Sequence, residues 1–373
     1  MEFKIAREEL VQALYLTQGV VERRNTLPIL ANVLVEAADD SVLVTASDLE
    51  VGVRRRCPAN VKKRGVVTVN ARKLYEIAKE MPAEELSIRG SGSGLVEIQG
   101  GRSRFRVVSL DAKEFPDLPF GPEGSGGGTK LRVTGTLLQG MIDRTIFAVS
   151  SDETRFNLSG VLLEVPTPGE LRMVATDGHR LAIVTRAVAG AEAAQAITLP
   201  RKGLQELRRL LEGSGNEEVN LTVSPKELRL HGDAVELFMR AIEGEFPDYR
   251  QVIPKEVKNH ARLRRDELMS AVRRVSLLAS ERSRGVKLQL DADGHIEVSA
   301  NSPDLGEATE ELEVEYKGEA MAVGFNGRYL LDVLGVHADG EHIDIGLTTA
   351  VGPGVIRSEE DPDYSYVIMP MRL

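Results

Sequence analysis

The stretch ATDGHRLAIV, Ala175 to Val184, comes nearest to an active site in this chain of 373 residues. Asp177 could orient His179 as a base, with Ser151 or Ser159 as nucleophile, which is the logic of acyl transfer. Residues i and i+2 of a strand share a face, but Asp-Gly is also a common turn pair. The related stretch VTASDLEVGV, Val44 to Val53, carries Leu49 and Glu50 where His179 and Arg180 stand, so the dyad is not repeated. The glycine runs GSGSG (Gly90–Gly94) and GSGGG (Gly124–Gly128) lack the lysine and helix of a phosphate loop. They read as a hairpin turn and a linker. Six scattered histidines and a single cysteine, Cys57, offer no metal-ligand spacing, and neither a metal nor another cofactor is expected.

Whatever the chain does must be positioned by more than one domain, because 373 residues exceed one ordinary core. A content of 42% hydrophobic and 28% charged residues is that of a soluble globular protein. The start, MEFKIAREEL, is charged and amphipathic rather than a signal peptide, and no apolar run approaches the ~20 residues of a membrane span. One cysteine excludes an internal disulfide framework and fits a reducing cytosol.

Internal repetition is the strongest signal. EFPD occurs at Glu114–Asp117 and Glu245–Asp248, and PDY returns at Pro362–Tyr364. ARK (Ala71–Lys73), PRK (Pro200–Lys202) and GRY (Gly327–Tyr329) each follow a short β-like run and open an apolar i, i+3, i+4 pattern. FKIAREELVQAL, LRVTGTLLQGMI and ARLRRDELMSAV also switch from strand to helix. The period of ~125–130 residues is far above that of a solenoid. It predicts an α+β chain of three tandem copies of one domain, two helices packed on antiparallel sheets, over residues 1–122, 129–254 and 259–373. GPEGSGGGT, Gly121 to Thr129, is the first linker, and IPKEVKNH, Ile253 to His260, marks the second boundary.

A domain of this length has a diameter of roughly 35 Å. Six in a ring, from two chains joined head to tail, leave a hole wide enough for a double helix. GRSRFRVV places Arg102, Arg104 and Arg106 on one face and Phe105 and Val107 on the other; EATEELEVE offers Glu307, Glu310, Glu311, Glu313 and Glu315. Two edge strands of opposite charge suit pairing between subunits and discourage self-pairing. The net charge of −10 is unevenly spread: the six predicted helical segments sum to +5 and the remainder to −15. Helices lining a bore would tolerate phosphates while the exterior stayed acidic. With 4% aromatic residues, base stacking on single strands is disfavoured.

TLPIL (Thr26–Leu30), ATDGHRL, PRKG (Pro200–Gly203), FPDYR (Phe246–Arg250), RGV (Arg284–Val286) and the terminal VIMPMRL, in this order, resemble the bacterial sliding clamp, the beta subunit of DNA polymerase III. The resemblance implies the clamp fold and a head-to-tail homodimer forming a six-domain ring around double-stranded DNA, without sequence preference. It implies no catalysis, loading by a clamp loader, and a cytoplasmic, nucleoid-associated site of action. It also implies a cleft that takes short linear peptides from the polymerase III catalytic subunit, translesion polymerases and mismatch-repair proteins. Carried onto this sequence, the cleft comprises Leu158, Thr176, Gly178, His179, Arg180, Leu181, Pro247, Val252, Asn326, Tyr329, Val351, Ile368, Met369, Pro370, Met371, Arg372 and Leu373. Arg180 and Arg372 are expected to fix polar groups of the guest. DNA contacts carried over are Arg24, Arg155, Phe156, Asn157, Arg201 and Lys202. At the ring joint, Arg102, Arg104, Phe105 and Val107 face Leu277, Leu278, Glu307 and Glu310 of the neighbour. Gln251, Ser283 and Pro353 depart from the family pattern and bear on peptide preference. The rival readings are a soluble enzyme built on Asp177 and His179, and a three-domain scaffold that does not touch DNA.

Overall fold

The computed structural model describes residues 1–21, 27–90, 92, 94–120, 128–152, 154–191, 196–291, 293–337 and 340–372. Arg24, Thr26, Leu373 and most of the glycine linker (121–127) lie outside them. Six α-helices occur among the described residues: α1 (Arg7–Thr17), α2 (Ala71–Glu80), α3 (Gly135–Asp143), α4 (Arg201–Leu210), α5 (Arg265–Val275) and α6 (Gly327–Val336). Each begins where the repeats place a strand-to-helix switch. α1, α3 and α5 continue directly from the strands Glu2–Ala6, Thr129–Thr134 and Asn259–Arg264. Asn70 and Asn326 cap α2 and α6 by accepting from the backbone N–H groups of Lys73 and Arg328, both at 3.0 Å. α4 follows Pro200 and has no side-chain cap.

Contact density divides the chain into two units. One holds Met1–Gln139, Thr167–Gly169 and Val188–Ile242; the other holds Gly140–Pro166, Glu170–Ala187 and Glu243–Leu373. Each therefore joins an end repeat to half of the middle one. The reason is sheet continuity. In the first unit Val235–Met239 of the middle repeat pairs antiparallel with Val51–Arg55 of the first, making one sheet of eight strands. In the second unit Arg180–Val184 pairs with Tyr364–Ile368, so the sheet runs from Gly160–Glu164 through the chain's last strand to Glu315–Lys317.

Each unit has a second, smaller sheet. The first unit's ends on Ser103–Val108 and the second unit's on Gly306–Glu313, both edge strands. Arg102 sits in the turn before its strand rather than on its face, and Arg104 and Arg106 are ion-paired with Glu97 at 2.5 and 3.4 Å. The acidic run is also cut: Val314 is buried, and Glu315 enters the other sheet beside Arg262. Glu310 turns toward α5, where Arg274 holds it through two bonds of 2.5 and 2.6 Å. Glu307, Thr309, Glu311 and Glu313 are left facing outward.

His337, at the C-terminus of α6, is 5% exposed and packs against the buried Tyr364, the ring centroids 5.0 Å apart and the planes tilted by 56°. Burial, the largest cause, lowers its pKa from 6.5 to about 4. The unfolded chain therefore takes up a proton that the folded one refuses, and stability falls as pH drops from 6.5 toward 4. Lowering the pH from 7 to 5 costs about 2 kcal/mol through this group. The check is urea unfolding at both pH values, with that increment missing in His337→Gln.

Candidate partner-binding site

The DGH segment is a turn, not a dyad. Asp177 Oδ1 accepts the backbone N–H groups of His179 (2.9 Å) and Arg180 (3.1 Å), and Oδ2 accepts Arg180 Nε at 3.0 Å. Thr176 Oγ1 donates to Arg180 O at 2.6 Å and accepts from Gly178 N–H at 3.1 Å. Gly178 has φ +89°, a left-handed conformation that favours glycine. Asp48 makes the same turn: Oδ1 accepts from Glu50 and Val51 N–H, and Leu49 takes φ +81°. Glu50 and Val51, not Leu49 and Glu50, therefore stand opposite His179 and Arg180. Ser159 Oγ donates to Arg155 O at 3.3 Å. Asp177 is occupied by the turn and by Arg180, so the pairing that would make His179 a base is not built.

Arg180 is the bracing residue beneath this turn. Its side chain is 7% exposed. Besides Asp177 it donates through Nη1 to Asp332 of α6 and through Nη2 to Phe147 O, both at 2.5 Å. The guanidinium lies 4.2 Å from the Tyr329 ring centroid and 5.3 Å from that of Phe147. Tyr366, fully buried, donates its hydroxyl to Tyr329 O at 3.1 Å. Arg180, expected to fix polar groups of a guest, is nearly buried, and its Nε, Nη1 and Nη2 each donate to groups of the fold. Leu158, Leu181 and Ile368, also expected as lining, are buried at 8%, 2% and 0%. Leu181 belongs to a core cluster with Leu162, Val174, Ile183, Tyr249, Val355 and Val367.

Above that floor the remaining positions are presented outward. Gly178, His179 and Pro247 are exposed. Val252, Val351 and Met369 are large apolar residues that are 46%, 78% and 41% exposed. Tyr249, buried in the cluster, anchors FPDYRQV so that Pro247 and Val252 flank it. Val351 lies in the loop before Gly354–Arg357, a strand that pairs with Tyr364–Ile368. The tail then changes sheets. Met369 N–H donates to His179 O and Met371 N–H to Gly324 O, both at 2.9 Å, with Pro370, which has no N–H, between them. Asn326, Tyr329 and Thr176 are half-buried beside this crossing, and Arg372 is exposed. Gln251 is tied to Asp248 at 3.1 Å.

The loop expected on DNA abuts the same turn. Arg155 Nη1 donates to Asp177 O at 3.3 Å and Asn157 Nδ2 to Glu245 O at 3.1 Å, while Phe156 is 71% exposed. Arg201 is exposed at the start of α4, but Lys202 is ion-paired with Asp48. Phe105 and Leu277 are exposed at 43% and 77%, and Val107 and Leu278 are half-buried. Asp332, Phe147 and Tyr249 were missed from sequence. Only Asp332 had a signal, one helical turn from Tyr329 on α6.

The repeated strand-to-helix domains, the sheets continuous between repeats and the exposed apolar side chains near the DGH turn are the architecture of a clamp-type tethering protein. Family models for the N-terminal, central and C-terminal domains of the DNA polymerase III beta subunit match residues 1–119, 132–248 and 250–372. The chain is 39% identical to the beta sliding clamp of Caulobacter vibrioides, each covered over 100% of its length. Among solved structures, it matches a beta sliding clamp from C. crescentus at a TM-score of 0.93 and 39% identity, again with both chains covered in full. It matches the Pseudomonas aeruginosa clamp bound to griselimycin at 0.92 and 37%, also over 100% of each chain. The chain belongs to the DNA polymerase III beta subunit family, the bacterial beta sliding clamps. It is a DNA sliding clamp that tethers the polymerase, a processivity factor without catalytic activity of its own.

Proposed function

We propose that two copies join head to tail into a ring of six domains around duplex DNA, each chain contributing three, over residues 1–122, 129–254 and 259–373. The joint is supported by the two edge strands. Ser103–Val108 carries arginines with Phe105 exposed among them, and Gly306–Glu313 carries outward Glu307, Glu311 and Glu313. The docking surface around His179, Val252, Val351 and Met369 takes short linear peptides with apolar anchors. Their sources are the clamp loader, the polymerase III catalytic subunit, translesion polymerases and mismatch-repair proteins. Burying ~300 Å² of apolar peptide surface contributes roughly 7 kcal/mol before ordering costs, consistent with micromolar affinity. Methionines in the tail suit guests of differing shape. The protein acts in the cytoplasm, on the nucleoid, without a cofactor.

The exposed apolar surface resting on the Arg180 brace carries the peptide reading, and the paired edges carry the ring. Phe105→Asp puts a carboxylate at the joint, opposite the acidic edge. It is expected to halve the native mass at micromolar concentration and to abolish retention on circular DNA after loading. A variant that remains a dimer would refute the joint.

A further inference from the structure

Helix α4, RKGLQELRRL, carries four cations, and three of them already have carboxylate partners. Lys202 is ion-paired with Asp48, whose side chain is 7% exposed. Arg209 Nη1 lies 2.9 Å from Glu206 Oε2, with Glu206 only 4% exposed, and its guanidinium is 5.6 Å from the Tyr15 ring centroid. Arg208 meets Glu212 at 3.2 Å on the helix surface. Arg201, at the first position of the helix, is exposed.

Each buried carboxylate does more than its own segment requires. Asp48 needs one oxygen for its turn, the one that accepts Glu50 and Val51 N–H; the other goes to Lys202. In the matching turn, Asp177 spends its second oxygen on Arg180, inside its own segment. Glu206 occupies a near-fully buried helix position, where an ionisable group costs stability that an apolar residue would not.

We propose, on the basis of the ring above, that Asp48 and Glu206 are built-in counter-ions that keep Lys202 and Arg209 from closing on DNA phosphates. α4 then meets the backbone chiefly through Arg201, and the clamp slides where four free cations would grip. Each phosphate contact that forms releases condensed counterions and steepens the fall of log K with log salt by about 0.9. The number of free cations on the helix therefore sets the friction.

The test is binding of the full-length protein to a short duplex oligonucleotide across a salt series, with thermal unfolding as the folding control. Glu206→Gln, nearly isosteric, and Asp48→Asn, which keeps the turn's acceptor, are each expected to steepen the slope by about 0.9, and the double variant by about 1.8. Over a fourfold rise in salt, each single change then loses about 3.5-fold more affinity than the parent. Diffusion along DNA is expected to slow in step. Arg201→Gln separates the two ideas, since it lowers the slope by about 0.9 if α4 faces DNA. A lowered slope in Arg201→Gln with unchanged slopes in folded Glu206→Gln and Asp48→Asn overturns the counter-ion proposal and leaves the ring standing. Unchanged slopes in all three overturn both. If Asp48→Asn fails to fold, Glu206→Gln decides alone.

Discussion

Arg180→Met is expected to lower stability by about 3–5 kcal/mol and to abolish peptide docking in whatever protein still folds. The guanidinium is nearly buried between Asp177 and Asp332 and also donates to Phe147 O. Removing one partner from a buried pair leaves an uncompensated charge, which costs about 3–5 kcal/mol. Removing all the charges together costs much less. Arg180→Met combined with Asp177→Asn and Asp332→Asn should therefore recover much of the loss in urea unfolding. Peptide binding should not recover with it. The amide introduced by Asp177→Asn can still cap the turn, but the Asp177–Arg180–Asp332 bridge from the DGH segment to α6 is gone, and His179 and Tyr329 lose that brace. A single variant as stable as the parent would show that Arg180 braces nothing. Recovery of docking in the triple variant would show that the floor needs only volume.

Deleting Met369–Leu373 is expected to leave a folded clamp that has lost docking. Tyr364, Tyr366, Val367 and Ile368 are at most 2% exposed and complete the sheet, whereas Met369 is 41% exposed. The deletion removes two main-chain bonds, to His179 O and Gly324 O, and two methionine side chains. Loss of the apolar contacts is worth roughly 2–3 kcal/mol, or about 30–150-fold in peptide affinity. Cutting five residues earlier, before Tyr364, should instead unfold the second unit. Circular dichroism and peptide titration on the two truncations give opposite outcomes if this division of the tail holds. An unfolded Met369–Leu373 deletion would mean that the crossing itself is core.

The helices were legible because each begins where a period of two gives way to one of 3.6, and because Asn70 and Asn326 announce two of the starts. The tail was legible in part: the resemblance put Ile368 to Leu373 on the cleft, and Ile368 is buried in the sheet whereas Met369 is exposed. What escaped was whatever depends on long-range register. Arg180, a charged residue beside an exposed histidine, reads as surface; only the pairing of its strand with Tyr364–Ile368 and the placement of α6 bury it. Glu310 reads as one more acid on an edge until Arg274, 36 positions away, claims it. Lys202 reads as a free cation because Asp48 lies 154 positions off. The Asp48 and Asp177 turns superpose by hydrogen bonds, i+2 and i+3 in both, one residue away from where their side chains align. Leu49 occupies the left-handed position that Gly178 holds in the other copy.

Sheet continuity across repeats has a kinetic consequence. Val51–Arg55 with Val235–Met239, and Arg180–Val184 with Tyr364–Ile368, are noncovalent seams, yet each lies within one polypeptide. If such a seam ruptures, the covalent thread holds its halves at an effective concentration of order millimolar, and it reseals at a rate independent of dilution. The seams between two chains have no thread. In the proposed ring of two copies, dilution, salt and the pull of a loader would all act on the same two places. In that ring connectivity would choose the gate before any difference in contact strength is considered.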